Sequence, residues 1–179
     1  MKCRERMCRN MSFRKIAPQE LSENMIRVLK EEWMLLAAGD RQASNAMTVG
    51  WGGMGVIWQL PVATCYVRPQ RYTYDFTEKS DYFTLSAFDP KYREQMLLMG
   101  TKSGRDMDKA AACGFTTAYA AGDAPYYEQA RFVLVCKKLY VQDMEDKCIL
   151  DERVRAVYPE KDYHRIYVGE IVEVLVKED

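Results

Sequence analysis

One histidine, His164, is all this chain of 179 residues contains. That scarcity argues against a histidine-rich zinc site and leaves no credible Ser-His-Asp triad, the more so because no G-x-S-x-G elbow is present. Six cysteines occur, at positions 3, 8, 65, 113, 136 and 148, and none forms a C-x-x-C pair. With no secretory segment visible after the basic start MKCRERMCRNM, free thiols and a cytoplasmic location are expected. Cys65 and Cys136 lie in strand-like runs and read as small core residues. There is no excess charge: 26 basic residues balance 26 acidic ones. A general nucleic-acid surface or an acidic-membrane surface is therefore not favoured. Long apolar runs are missing too, since Met34–Ala38 and Phe132–Cys136 are far too short to span a bilayer. No dinucleotide fingerprint and no Walker lysine motif appears, and no metal site is expected.

What is present is a β-rich chain. At 48% apolar residues it is not a disordered one. Residues 1–12 read as a tail and residues 13–179 as a single domain. Phe13–Ile16 reads as a first strand, and Pro18 can open a helical segment continued by Leu21, Met25, Val28 and Leu29. The run Trp33–Ala38 reads as a buried strand, with a turn at Gly39-Asp40 and a hairpin partner over Asn45–Trp51. Further strands are expected at Val62–Val67, Tyr82–Ala87, Ala130–Val141 and Tyr163–Val176. Short helices are expected at Tyr72–Ser80, from Asp89-Pro90 to about Gly100, and over Asp106–Ala112. The class is mainly β with helices, a small barrel with helical decoration.

Four stretches carry possible chemistry. Asn45–Gly55, NAMTVGWGGMG, offers two polar side chains, bare backbone and an indole; it suits either a ligand cradle or an ordinary glycine-rich hairpin. Val67–Tyr74, VRPQRYTY, sets Arg68 and Arg71 around a proline with Thr73 nearby, a donor set that suits phosphate as well as a solvated loop. Gly100–Lys109, GTKSGRDMDK, is a cationic glycine loop in which Ser103-Gly104 can form an anion nest, or Asp106 can simply cap the next helix. Asp162–Ile171, DYHRIYVGEI, places His164 at a strand entrance and Gly169 inside the strand, a sign of a bulge or a close approach. With so little acid–base machinery, any catalysis here would rest on a cofactor.

In this order, NAMTVGWGGMGVIWQLPV, YVRPQRYTYDF, DYFTLSAF, MGTKSGRDMDK and HRIYVGEIVEV resemble the flavin reductase-like family of FMN-binding split-barrel proteins, the group that includes flavoredoxin. The likeness runs from about Glu32 to the C-terminus. It implies an FMN-binding split β-barrel, a homodimer, and FMN near the subunit interface. Asn45, Ala46, Met47 and Thr48 would lie along the isoalloxazine, with the backbone of Ala46 and Met47 reading its polar edge and Gly50, Gly52 and Gly53 permitting close approach. Trp51 would flank the ring or the dimer contact. Arg68, Arg71, Tyr72 and Thr73 would lie towards the phosphate. Ser103, Gly104, Arg105 and Lys109 would add a second phosphate-side or partner-subunit contribution. His164 would stand on the nicotinamide or substrate side as the one candidate catalytic residue. The implied activity is hydride transfer from NAD(P)H to flavin and electrons onward to an acceptor. The alternative is an FMN-bearing electron carrier served by a redox partner protein, and a third reading is a related barrel holding no flavin, or haem or a deazaflavin.

Overall fold

The structure is a computed structural model that describes residues 12–178; Cys3, Cys8 and the rest of the expected tail up to residue 11 lie outside the described residues. Among the described residues there are ten strands: β1 (Phe13–Ile16), β2 (Met34–Gly39), β3 (Ser44–Val49), β4 (Gly52–Ile57), β5 (Leu60–Val67), β6 (Tyr82–Ala87), β7 (Thr117–Tyr119), β8 (Pro125–Tyr127), β9 (Phe132–Asp143) and β10 (Arg165–Lys177). Eight form one antiparallel sheet in the order β3-β2-β6-β9-β10-β5-β4, with β1 added to β10, while β7 and β8 make a separate hairpin. The long strand β10 pairs β5 with its first half and β1 with its last, so one of its edges carries two partners in succession.

The apolar runs in β2 and β9 exist because both faces of these strands are covered. Met34, Leu36 and Ala38 enter one core with Phe132, Leu134 and Cys136. Leu35 and Ala37 enter a second core with Val133 and Val135 on the opposite face. Period two in the strand sends alternate residues to alternate cores. Cys65 and Cys136 are free thiols at 0% exposure, and burial raises the pKa of both. Gly169 sits at a register shift in β10, where a Cβ would stand 2.8 Å from both Cys136 Cβ and the Phe83 ring. Both meanings of that glycine, the bulge and the close approach, are met.

The helices are short. Asn24 caps α1 (Met25–Arg27), which widens into a single π turn over Val28–Glu32 before β2. α2 (Tyr72–Lys79) follows β5, α3 (Arg93–Thr101) follows β6, α4 (Lys109–Cys113) follows the cationic loop, and α5 (Glu152–Arg155) precedes β10.

The glycine-rich stretch differs from the sequence reading. The strand expected to run from Asn45 to Trp51 ends at Val49, and Gly52–Ile57 is a strand of its own, hairpinned to β5 through Trp58 and Gln59 at φ 55° and 61°. Two consecutive left-handed residues make a two-residue turn that matches strand twist. Gly50 and Gly52 serve this packing: a Cβ on Gly52 would stand 2.4 Å from the Thr64 carbonyl, and one on Gly50 would stand 3.2 Å from Trp33 Cδ1. α5 and the β7–β8 hairpin were also not anticipated from sequence.

Candidate functional site

Two adjoining concavities flank the C-terminal end of α3. The smaller, about 120 Å³, is lined by Asn45, Arg71, Tyr72, Thr73, Thr101, Lys102, Ser103, Gly104, Arg105 and Lys109 among others. α2 begins beside it at Tyr72 and Thr73 with Arg71 as its N-cap and no side-chain cap, so its first turn keeps N–H donors without a side-chain acceptor. Arg71 donates from Nη2 to the Gly100 carbonyl at 2.8 Å. Lys109, only 5% exposed, donates from Nζ to the carbonyls of Ala46 (2.5 Å) and Met99 (3.0 Å). Desolvation lowers both cations, and Arg71 lowers Lys109 further, to about 8. Among the described residues neither has a carboxylate within ion-pair distance, whereas Arg105 is paired with Asp75 at 3.1 Å. Two like charges gathered out of water with no carboxylate at ion-pair distance among the described residues are an arrangement that a bound anion would stabilise.

The edge strand β3 borders this space. The Ala46 carbonyl taken by Lys109 lies on the open edge, and N–H and C=O of one strand residue point the same way. Ser44, Ala46 and Thr48 therefore present backbone outward, while Asn45, Met47 and Val49 face β2. Met47 is 7% exposed, its side chain is in the core and its backbone groups turn towards β2, whereas those of Ala46 and Thr48 lie on the open edge. Asn45 donates to Thr73 Oγ1 at 2.8 Å and packs on Gly104, where a Cβ would stand 2.2 Å from Asn45 Oδ1. Thr48 spends its hydroxyl proton on the Met96 carbonyl.

The second concavity, about 340 Å³, is lined by Trp33, Thr48, Gly50, Trp51, Met96, Leu97, Gly100 and Thr101. Thr101 borders both spaces. The pair thus reads as an indole-walled slot running into an anion pocket. Sequence reading missed Trp33; Gly100, Thr101 and Lys102 belong to the cationic stretch it singled out but were not named as individual contacts.

The cationic loop departs from the expected nest at a helix start. Ser103 and Asp106 close a turn on themselves, with Asp106 N–H donating to the Ser103 carbonyl at 3.2 Å. α4 begins only at Lys109, and its cap is Asp108, which accepts from Ala111 N–H at 3.0 Å, not Asp106.

Arg68 and His164 form a separate group. Arg68 pairs with Asp162, which also accepts from Gln70, and its guanidinium lies over the Tyr158 ring at 5.2 Å. It does not line the anion pocket, which keeps Arg71 and not Arg68. The two arginines stand at the two ends of a turn around Pro69, closed by the Arg71 N–H donating to the Arg68 carbonyl at 3.0 Å. His164 is 8% exposed, packs on Trp51 with ring centroids 4.7 Å apart, and hydrogen-bonds through Nδ1 to the Tyr158 hydroxyl at 2.8 Å. Burial, then Arg68, lowers its pKa to about 4. The imidazole is therefore neutral near pH 7, a hydrogen-bonding group and not a proton store. Because the folded pKa is depressed, its contribution is intact above the unfolded value near 6.5 and is lost as pH falls towards 4. The predicted loss is on the order of 3 kcal/mol. Comparing denaturant stability of wild type and His164→Asn at pH 7 and pH 4.5 checks this: the wild type should lose more stability, and an equal loss would mean that His164 titrates normally.

Comparison with known proteins gives the fold a context. The family model for the flavin reductase like domain matches residues 26–179. Among solved structures, an FMN-binding domain of a flavin reductases-like enzyme from Shewanella baltica superposes with a TM-score of 0.67 at 18% identity, covering 93% of this chain and 78% of that one. Flavoredoxin of Desulfovibrio vulgaris gives 0.64 at 25% identity, covering 82% and 69%. A Shewanella frigidimarina protein described as a flavin reductase with a split barrel domain gives 0.65 at 19%, covering 90% and 77%. No match was found among curated proteins. The expected split-barrel fold is thus the fold of the chain, although its sheet is curled and not closed. With the match spanning nearly all of the domain that holds the slot and the anion pocket, the chain belongs to the flavin reductase like domain family.

Proposed function

We propose that the chain is an FMN-dependent oxidoreductase that takes a hydride from NAD(P)H and delivers electrons to an acceptor. The observation that carries the FMN assignment is the pair Arg71 and Lys109, half-buried and buried cations with no carboxylate partner among the described residues, at the end of an indole-walled slot. A phosphate supplies the missing negative charge, and a flat ring suits the slot; the residues present fit FMN. The flavin, when bound, supplies the hydride and electron chemistry. The protein's share is then positioning. Arg71, Lys109, Thr73 and the first turn of α2 would hold the phosphate, the open edge of β3 at Ala46 and Thr48 would offer backbone groups to the ring, and Trp51 separates the slot from an apolar hollow of about 520 Å³ bounded by Tyr66, Met144, Val154, Val157 and Tyr158. His164, neutral and pinned by Tyr158, can donate or accept a hydrogen bond beside Trp51 without moving a proton.

The experiment is anaerobic mixing of the FMN-loaded protein with NADH and, separately, NADPH. Bleaching by either nucleotide without another protein is expected. Failure with both would replace this reading with the carrier one, which the 25% identity to Desulfovibrio flavoredoxin favours and which requires a redox partner protein.

A second copy of the chain is part of the same proposal. The edge hairpin β4–β5 exposes Val56 (71%) and Trp58 (57%), and Trp58 lies 6.2 Å from Tyr140 beside exposed Leu139 and Val141. Exposed apolar side chains gathered at a sheet edge suit a cover. Sedimentation as a dimer is expected, and Trp58→Lys should shift it to monomer; a monomeric wild type would remove this part of the account. No helix among the described residues is long and apolar enough to cross a membrane.

A further inference from the structure

We propose that Trp33 is a positioning residue for the flavin ring, a wall of the slot that the chain maintains at the cost of backbone strain; this rests on the flavin reading above. Trp33 has φ 69° and ψ 162°, a region essentially reserved for glycine. Glycine would satisfy this backbone better, so the reason for tryptophan lies in its side chain. The surroundings hold the strained residue from three directions. Its N–H closes the π turn on the Val28 carbonyl at 2.6 Å. The Arg93 guanidinium lies 3.3 Å from the indole centroid while Nη1 donates to the Glu31 carbonyl at 2.9 Å, so the cation that stacks on the ring also ties down the turn that strains it. Gly50 lets the β3–β4 connection approach, since a Cβ there would press to 3.2 Å on Trp33 Cδ1.

The indole so clamped borders the same slot as Thr48, Gly50, Trp51 and Gly100. Trp33 and Trp51 are thus the two large aromatic groups of that slot, one part-buried and clamped, one 47% exposed. π turns and strained residues concentrate at functional sites, and here both occur in consecutive residues at the slot's rim.

The test uses the full chain with Trp33→Gly and Trp33→Phe, and reads dissociation constants for FMN and for riboflavin, together with the ability of inorganic phosphate to compete with FMN. Trp33→Gly removes the wall while relieving the strain. It is expected to weaken FMN and riboflavin by the same factor, about tenfold, the scale of one aromatic contact. Phosphate competition should be unchanged, which a general collapse of the site would not allow. Trp33→Phe, which keeps a ring and does not depend on the glycine variant folding, should give a smaller loss of the same pattern. Wild-type affinity for both flavins in either folded variant overturns the proposal. A wild-type protein that binds neither flavin would instead overturn the flavin reading itself.

Discussion

Arg71→Ala and Lys109→Gln are each expected to lower FMN affinity by about tenfold or more while leaving riboflavin affinity nearly unchanged. The reasoning is electrostatic. Each side chain already gives hydrogen bonds to backbone carbonyls, yet each keeps its positive charge uncompensated in a partly desolvated space. Charge-assisted hydrogen bonds contribute about 1.5–3 kcal/mol each, so the double variant should lose about a hundredfold or more. Riboflavin lacks the phosphate and supplies the internal control. The pH dependence has a definite sign. Lys109 titrates near 8 in the free protein, and a phosphate favours its ammonium form. FMN affinity should therefore fall as pH rises from 7 through 8 to 9.5, by up to about tenfold per unit beyond 8. Lys109→Gln should flatten that fall. Fluorescence titration of both flavins at the two ends of this range checks all of it, and equal losses for FMN and riboflavin would remove the phosphate assignment.

Gly169→Val is expected to destabilise the fold by about 3 kcal/mol, without touching the anion pocket. Gly169 faces Cys136 and the ring of Phe83, both buried at 1% exposure or less, and even a single Cβ would stand 2.8 Å from each. Neither neighbour is the free end of a flexible chain, so the strand itself must shift. For a domain of this size a 3 kcal/mol loss corresponds to a melting temperature about 6–12 °C lower. Gly55→Ala is the matched control. No atom stands within 4 Å of a Cβ at Gly55 on the edge strand β4, and its effect should stay within about 0.5 kcal/mol. A thermal melt of the two variants decides the matter, and an unperturbed Gly169→Val would show that β10 is looser than its register shift implies.

The parts of the fold visible in sequence are those where one residue pattern has one solution. Continuous apolar runs at Met34–Ala38 and Phe132–Cys136 favour strands covered on both faces over helix, and strands covered on both faces are what they form. The segment Gly52–Gly55 was opaque because glycine has poor strand propensity; what makes it a strand is the backbone of β5, 2.4 Å from a would-be Cβ at Gly52 and unreadable from local sequence. The resemblance gathered Arg68 and Arg71 to one phosphate, yet Asp162, ninety-four positions away from Arg68, claims that guanidinium. Trp33 looked like the start of an apolar run. Its positive φ arises from a π turn that has no sequence signature. Asp106 was the cap expected from sequence, but Ser103–Asp106 closes a turn of its own and Asp108 caps α4 instead.

The measurement that bears most directly on the central claim is the visible absorption spectrum of the purified protein before and after addition of FMN and desalting, taken on the wild type and on the Arg71→Ala/Lys109→Gln double variant. The account predicts a retained two-banded yellow spectrum in the wild type and its loss in the double variant. A wild type that stays colourless after FMN and desalting, or a double variant that keeps its flavin, would contradict it.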